Sequence, residues 1–318
     1  MTGINSTSNS TRAFAATALL LLATAASAQP KSDADLCASI TGKPDAAIQH
    51  CTRAIESGKY SGEMLSRLHF NRGIEWGTKN DHDRAIADYD AAIKLSPNFT
   101  DALYNRGSAW AHKGESDRAI TDYDAALKLN PKDATTIAAR AVEWINKGDY
   151  LRAVSDYDAA IGLDAKSGNA IFGRARARYY GGEYKHAAED MERAAKLEPS
   201  EYTALWLYLA RKRGGAGDAE QRLDSETRAT RGGWPAPVIV LYLGRTDVSS
   251  VFAAATDPNA QRQRDQRCEA NYYVAEWHLL RGENERALPL LKEARSGCPR
   301  DFLEFEGAAA ALRKLQKP

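Results

Sequence analysis

One nine-residue stretch of the chain indicates its architecture: Arg84-Ala85-Ile86-Ala87-Asp88-Tyr89-Asp90-Ala91-Ala92. It recurs with few changes at residues 118–126 and 152–160, and in a weaker form at 186–194. Each copy begins 34 residues after the one before. A fixed period of this length indicates a repeat architecture, because one unit cannot bury its apolar face alone and several stacked units can.

A second recurring stretch lies upstream of the first in every unit. His69-Phe70-Asn71-Arg72-Gly73 recurs with the same period at 103–107, 137–141 and 171–175. The apolar spacing in both stretches is helical, and glycines such as Gly114 and Gly148 mark a break between them. We therefore expect two helices per unit, approaching closely where small residues such as Gly73 and Ala85 face each other.

The recurring small, aromatic and proline positions resemble those of the tetratricopeptide repeat (TPR) family over residues 66–201. The resemblance implies an all-α TPR solenoid, a right-handed superhelix of antiparallel helix pairs, with an irregular helical insertion before the last repeat. The predicted organisation is a signal peptide at 1–28 and a single solenoid at 29–318, with a partial unit at 33–58, repeats at 66–99, 100–133, 134–167 and 168–201, irregular helices at 202–267, a repeat at 268–301 and a capping helix at 302–318.

The first 28 residues have the layout of a secretory signal peptide. Residues 1–12 are polar with one cation, residues 13–26 are apolar and uncharged, and Ala26-Ser27-Ala28 supplies the small residues of a cleavage site. The apolar run is shorter than the roughly 20 residues that cross a membrane. We expect an exported, soluble, periplasmic protein without stable membrane insertion, and not lipidated, because no cysteine lies at the expected cleavage site.

The composition excludes two classes of protein. Lysine and arginine number 43 against 42 acidic residues, which leaves a net charge of +1. A nucleic-acid-binding protein needs a basic face to neutralise phosphates, so no nucleic-acid partner is expected. Since 43% of the residues are hydrophobic, the chain can build a packed core, which excludes general disorder.

The four cysteines are interpreted as disulfide partners. An even number in an exported chain favours disulfides over metal ligands, and four cysteines permit three pairings. In the repeat register Cys268 opens the first helix of the last repeat and Cys298 follows the second, so antiparallel packing places them side by side. We therefore predict the two local pairs, Cys37 with Cys51 and Cys268 with Cys298.

No motif in the sequence predicts catalysis. There is no phosphate-binding loop, no Gly-x-Ser-x-Gly nucleophile motif and no pair of histidines at metal-ligand spacing. We therefore expect a protein that is not an enzyme and has no catalytic residues, no metal and no cofactor.

The role of the recurring arginines can be interpreted in two ways. Arg72, Arg106, Arg140 and Arg174 share one position on the first helix, and paired aspartates recur on the second helix. In-phase charges of opposite sign favour structural ion-pair ladders between helices. The alternative is a ladder of arginines that binds an anion.

The candidate binding site comes from the resemblance, because in TPR proteins the first helices line a concave groove that holds peptides. The candidate groove residues are Arg67, Phe70, Asn71 and Ile74 in the first repeat, Tyr104, Asn105, Ser108 and His112 in the second, Ala138, Val142 and Asn146 in the third, and Asn169, Phe172, Arg176, Tyr179 and Tyr180 in the fourth. Aromatic, amide and arginine side chains suit an extended peptide. The alternative is a groove that is merely solvated. We expect exposed Tyr179 and Tyr180, whose replacement by alanine weakens partner binding and hardly lowers the melting temperature.

The stretch between the fourth and the last predicted repeat indicates which TPR proteins the chain resembles. The order of Leu205-Trp206-Leu207-Tyr208-Leu209-Ala210, Trp234-Pro235, Tyr242-Leu243-Gly244 and Glu269-Ala270-Asn271-Tyr272-Tyr273 is similar to that of the NlpI-like TPR proteins of bacterial envelopes. The resemblance implies a non-catalytic periplasmic adaptor or scaffold, with a PDZ-bearing processing protease or peptidoglycan hydrolases as partners, and a homodimer. The NlpI-like proteins are lipoproteins, and this chain differs from them in its two cysteine pairs and in lacking a lipidated cysteine. The alternative function is a peptide- or glycan-binding component of an envelope assembly or secretion machine.

Overall fold

The protein is described by a computed structural model that covers residues 31–228, 232–300 and 302–316. The predicted signal peptide at residues 1–28 lies outside the described residues. Within the described ranges the chain forms 17 α-helices and no strand, which agrees with the all-α prediction. None of these helices combines the length and the apolar character needed to cross a membrane.

Four helix pairs correspond to the central repeats, and further helices flank them. The pairs are α3 (Gly62–Thr78) with α4 (His82–Leu95), α5 (Thr100–Lys113) with α6 (Ser116–Leu129), α7 (Ala134–Lys147) with α8 (Tyr150–Leu163), and α9 (Gly168–Gly181) with α10 (Tyr184–Leu197). The flanking helices are α1 (Asp33–Ser39), α2 (Pro44–Glu56), α11 (Glu201–Arg213), α12 (Ala219–Thr227), α13 (Ala236–Tyr242), α14 (Val248–Ala254), α15 (Ala260–Leu280), α16 (Asn284–Gly297) and α17 (Leu303–Leu315).

The helices of three repeats begin where the sequence period puts them. Thr100, Ala134 and Gly168 open α5, α7 and α9. In the first repeat α3 begins at Gly62, before the expected start at Ser66, and Ser61 precedes the helix with an extended backbone. Within each pair the chain turns through a left-handed residue, which is a glycine at Gly114 (φ 79°) and Gly148 (φ 80°).

Small residues let the two helices of a repeat approach closely. A Cβ atom on Gly73 would lie 2.7 Å from a ring carbon of Tyr89, and one on Gly107 would lie 2.8 Å from Tyr123. Both tyrosines are buried in the core. The glycine of the first helix therefore leaves space for a tyrosine ring of the second helix. The sequence pattern did not predict this contact.

The recurring arginines form an ion-pair ladder along the solenoid. Arg106 donates from Nε and Nη2 to the carboxylate of Asp122 in its own repeat, at 2.8 and 2.6 Å. Its Nη1 donates to Asp90 of the preceding repeat at 2.6 Å. Arg140 and Arg174 make the same three contacts in the next two repeats. Because every guanidinium nitrogen already has an acceptor, the structure confirms the structural ladder rather than the anion-binding alternative.

Disulfides lie near both ends of the described chain. Cys37 bonds to Cys51, joining α1 to α2, and Cys268 bonds to Cys298, joining α15 to the residue that follows α16. These are the two local pairs that the repeat register predicts. Each cross-link connects the members of one helix pair and restricts the unfolded chain.

The last helix pair starts earlier than predicted. α15 begins at Ala260 because the side chain of Asn259 caps it, accepting from the backbone N–H groups of Gln261 and Arg262 at 3.0 Å each. The helix is 21 residues long, so Cys268 lies inside it and does not open it. The expectation that the unit begins at Cys268 is therefore wrong for its first helix.

The largest core lies where the irregular helices meet the last two central repeats. Trp206 on α11 is fully buried. Its ring centroid lies 5.6 to 6.4 Å from those of four aromatic residues, which are Phe172, Tyr179, Tyr180 and Tyr272. The irregular helices therefore share one core with the third and fourth repeats.

Helix α17 packs on α15 and α16 as a cap and also reaches back to the first helices of the repeats. It contacts α7 and α9. Arg176 on α9 forms a buried ion pair with Glu306 on α17. Arg313 on α17 donates to the backbone carbonyl of Asn146 at 2.5 Å and to the hydroxyl of Tyr150 at 3.1 Å. The C-terminal helix thus covers the groove face at the third and fourth repeats.

One carboxylic acid on α17 makes folding stability depend on pH. Glu304 is buried and accepts a hydrogen bond from the hydroxyl of Tyr273 at 3.0 Å. Burial, reinforced by the charge of Glu269, raises the pKa of Glu304 from the ordinary 4.5 to about 7. Between these two values the folded state holds a proton that the unfolded state has lost. The free energy of unfolding therefore falls as the pH rises through this window.

Replacing Glu304 by glutamine should remove this pH dependence, because the amide is neutral at every pH. From the size of the pKa shift, Glu304 lowers the free energy of unfolding of the wild type by roughly 3 kcal/mol between pH 4.5 and 7. Urea unfolding of wild type and E304Q at pH 5 and pH 7.5 measures the difference. The exposed Glu293 on α16 provides the control E293Q, which should follow the wild type. Equal pH dependence of wild type and E304Q would contradict the assignment.

Candidate functional site

The predicted groove residues fall into three classes of exposure. Arg67, Ile74, His112 and Asn169 are exposed, and Arg176, Tyr179 and Tyr180 are buried. The half-buried ones are Phe70, Asn71, Tyr104, Asn105, Ser108, Ala138, Val142, Asn146 and Phe172. The groove therefore offers an accessible surface at its first three repeats and much less at its fourth.

The expectation of exposed tyrosines in the fourth repeat is wrong. Tyr179 is 3% exposed and Tyr180 is 2% exposed, because α11, α15 and α17 close over them. The hydroxyl of Tyr179 donates to the carboxylate of Glu276 at 2.9 Å, and Arg213 holds both groups. These tyrosines therefore hold the C-terminal helices to the repeats.

Six of the predicted groove residues line one cavity of about 380 Å³. They are Tyr104, Ser108 and His112 on α5, Val142 and Asn146 on α7, and Arg176 on α9. The remaining predicted residues do not line it: Arg67, Phe70, Asn71, Ile74, Asn105, Ala138, Asn169, Phe172, Tyr179 and Tyr180. Solvent reaches the cavity, since the side chains of His112 and Arg300 on its wall are exposed.

The other wall of the cavity comes from the C-terminal part of the chain. It consists of Arg295, Arg300, Leu303, Phe305, Glu306, Ala309 and Arg313. Sequence reasoning missed all of these residues, because nothing local in residues 295–313 indicates that this segment returns to the repeats.

Two arginines of this wall lie against one aromatic ring, and a third lies nearby. The guanidinium carbon of Arg295 lies 3.5 Å from the ring centroid of Phe305, and that of Arg300 lies 5.4 Å from it. Arg313 is held by its bonds to Asn146 and Tyr150. Burial, together with the charges of Arg300 and Arg313, lowers the pKa of the Arg295 guanidinium. The cavity therefore carries concentrated positive charge.

A buried carboxyl group faces the same cavity. Glu143 on α7 is 3% exposed, and its Oε1 accepts from the amide of Asn146 at 3.1 Å. Its Oε2 has no hydrogen-bond partner among the described residues. Burial raises the pKa of Glu143, although the polar and cationic groups around it act in the opposite direction. Among the described residues that line the cavity, the buried atoms Glu143 Oε2 and Arg176 Nε thus lack a hydrogen-bond partner.

A second cavity, of about 360 Å³, lies between α10, α11 and α12. Its buried arginine, Arg211, is already paired with Glu192 and Glu226 at 2.8 Å. Throughout the part of the chain that the structure describes, no group of three or more His, Cys, Asp or Glu side chains could hold a metal ion. The groove cavity is therefore the candidate binding site.

Comparison with known proteins identifies the repeat in part of the chain. Residues 75–134 match the family model described as tetratricopeptide repeat. This segment contains TPR repeats. No curated protein sequence matches the chain.

Solved structures of TPR proteins share this fold. A TPR protein from Parabacteroides merdae is 18% identical, with a TM-score of 0.55 over 85% of this chain and 93% of that one. The C-terminal part of a TPR protein from Cytophaga hutchinsonii is 17% identical, with a TM-score of 0.53 over 83% and 94%. YrrB, described as a TPR protein with an unusual peptide-binding site, is 17% identical, with a TM-score of 0.52 over 63% and 100%. At these identities the likeness concerns the fold alone.

Replacing Tyr180 by alanine should lower the stability of the folded protein. Removal of a fully buried aromatic ring costs about 3 to 5 kcal/mol of stability, because the core cannot refill the space. Thermal and urea unfolding measure the loss, and Tyr180→Phe, which keeps the ring, is the matched control. A Y180A protein as stable as the wild type would show that the ring is not part of the core.

Proposed function

We propose that this TPR protein is a non-catalytic binding scaffold that holds an extended peptide segment of a partner protein in its groove. The observation that carries the proposal is the cavity between α5, α7 and α17. Its walls combine an aromatic ring, a hydroxyl, an amide and arginines, which come from Tyr104, Ser108, Asn146, Arg295 and Arg300. Pockets that bind small ligands have volumes of about 300 to 1,000 Å³, and this cavity lies at the lower end.

The chemistry of the walls favours a peptide over other ligands. The ring of Tyr104 and the side chain of Val142 provide apolar contact area, and Ser108 and Asn146 can exchange hydrogen bonds with a peptide backbone. A cavity of about 380 Å³ leaves room for a short segment rather than a whole helix. YrrB, with its peptide-binding site, has the same type of fold, and the likeness supports the fold on which this proposal depends.

The proposed compartment is the oxidising space outside the cytoplasm, the periplasm of a bacterium. The apolar run and small-residue cleavage site at the N-terminus support export. The two disulfides support it independently, because such bonds persist in oxidising compartments and are rare in the cytosol.

The NlpI-like resemblance supplies candidate partners for the scaffold. These are a PDZ-bearing processing protease and peptidoglycan hydrolases, brought together by an adaptor that acts as a homodimer. The second candidate function, a peptide-binding or glycan-binding component of an envelope assembly or secretion machine, uses the same cavity without a protease. Crosslinked capture of partners by the exported chain, read by mass spectrometry, distinguishes a protease or hydrolase from assembly components.

Blocking the cavity should abolish peptide binding without unfolding the protein. Ala111 on α5 lines the cavity and is half-buried, so Ala111→Trp puts an indole into the binding space. We expect retention of peptides from a random heptapeptide library on the immobilised protein to fall about tenfold or more, since each lost 1.4 kcal/mol is tenfold in affinity.

The matched control is Thr121→Trp, which adds the same side chain to an exposed position on α6, away from the cavity. It should retain peptides like the wild type, and both variants should melt within a few degrees of it. Equal peptide retention by A111W and wild type would place peptide binding outside this cavity. A wild type that retains no peptides would overturn the proposed function.

A further inference from the structure

The ladder of ion pairs changes where the regular repeats end. Counted 34 residues on from Arg174, the next ladder position is Tyr208, which carries no charge. Arg211, three residues further along α11, binds Glu192 and Glu226 at 2.8 Å each and so takes the part of the ladder arginine. The arginine of this last ion-pair group is therefore displaced by about one helical turn along α11.

Arg211 differs from the ladder arginines in the partner of one atom. In Arg106, Arg140 and Arg174 the Nε–H group donates to an aspartate of the same repeat, at 2.8 to 2.9 Å. In Arg211 the two Nη atoms bind the two glutamates, and Nε has no hydrogen-bond partner among the described residues. Arg211 is only 6% exposed. A buried donor without an acceptor costs free energy, which a ligand with an acceptor would recover.

Arg211 lines the second cavity, of about 360 Å³, between α10, α11 and α12. Ala204 and Leu207 line it from the same face of α11, because spacings of three and four residues place side chains on one side of a helix. Both are buried. Ala195 and Pro199 extend this aliphatic wall, and the described residues that line the cavity include no aromatic side chain. An aliphatic body placed here would displace water from apolar surface.

The charged side chains around this cavity balance one another. Three are acidic and three are basic: Glu192, Glu201, Glu226, Lys196, Arg211 and Arg222. An anion that approached Nε of Arg211 would meet the two carboxylates that already bind this guanidinium, and a cation would supply no acceptor. The ion pairs of Arg211 therefore make the cavity a poor site for a charged ligand. They leave it suited to an uncharged acceptor, such as a carbonyl oxygen.

A second buried atom on the wall, Oε1 of Glu201, also lacks a hydrogen-bond partner among the described residues. Glu201 precedes Arg211 by ten residues on α11, which is about 15 Å along the helix axis. One small polar group is too short to meet both atoms. The carbonyl oxygen is therefore assigned to the Arg211 end, and water can donate to Glu201 at the other end.

We propose that this cavity binds a small, uncharged aliphatic molecule through a carbonyl oxygen that accepts a hydrogen bond from Nε of Arg211. The aliphatic part of the ligand packs on Ala204 and Leu207. The cavity shares no lining residue with the groove cavity. The inference is therefore independent of the proposed peptide-binding function and adds a second site to the protein.

Three probes with the same isobutyl group test the proposal on the purified protein. Isovaleramide is neutral and has the carbonyl oxygen, isovalerate is an anion, and isoamylammonium is a cation without a carbonyl. Titration followed by ligand-observed NMR measures their affinities. We expect isovaleramide to bind with a dissociation constant in about the millimolar range, since it is a very small ligand. The two charged probes should bind about tenfold more weakly or worse, because neither supplies an uncharged acceptor to Nε.

A variant that fills the cavity locates the binding. Ala195 lines the cavity and is half-buried on α10, so Ala195→Trp puts an indole into the binding space. It should lower the affinity for isovaleramide about tenfold or more. The matched control is Ala87→Trp, which adds the same side chain to an exposed position on α4 outside the cavity. It should bind the probe like the wild type. Thermal unfolding checks that both variants fold, and the comparison of probes on the wild type needs no variant.

Four results would overturn the inference. They are the absence of isovaleramide binding by the wild type, equal affinities for the three probes, tighter binding of either charged probe, and unchanged isovaleramide binding by A195W. None of them bears on the retention of peptides by the groove cavity, so the two proposals fail separately.

Discussion

The arginine of each repeat is the interaction on which the architecture depends. One guanidinium spans two successive units, as Arg106 does between Asp122 and Asp90. Buried ion pairs of this kind add little net stability, since desolvation offsets most of the attraction. Their effect is on register, because an aspartate left without its arginine is costly and excludes other ways of stacking the units. A fixed register brings the first helices α5, α7 and α9 onto one face.

That face is where the C-terminal part of the chain returns. Helix α17 uses the buried pair of Arg176 and Glu306 to attach to α9, and Arg313 to attach to α7. The attachment buries Tyr179 and Tyr180 and encloses the cavity beside the second and third repeats. The groove is therefore built jointly by the repeats and by a helix from outside them. The side chains that line its cavity come from both.

The sequence predicts the repeating part of the structure well, because every unit carries the same local information. Thr100, Ala134 and Gly168 begin helices as the period requires, and Arg140 meets Asp156 as its charge pattern requires. The burial of Tyr180 was not predictable in this way. It depends on contact with α11, α15 and α17, which lie outside the four central repeats, and no local spacing encodes these contacts. The C-terminal part of the cavity wall, including Arg295 and Arg300, was not predictable for the same reason.

The disulfide between Cys268 and Cys298 belongs to the part of the chain outside the four central repeats. Cys298 lies between Arg295 and Arg300, so the cross-link holds the short segment that carries both arginines to the middle of α15. A chain in which these two cysteines are reduced lacks this covalent anchor. The C-terminal wall of the cavity is thus tied by a covalent bond to a helix outside the four central repeats.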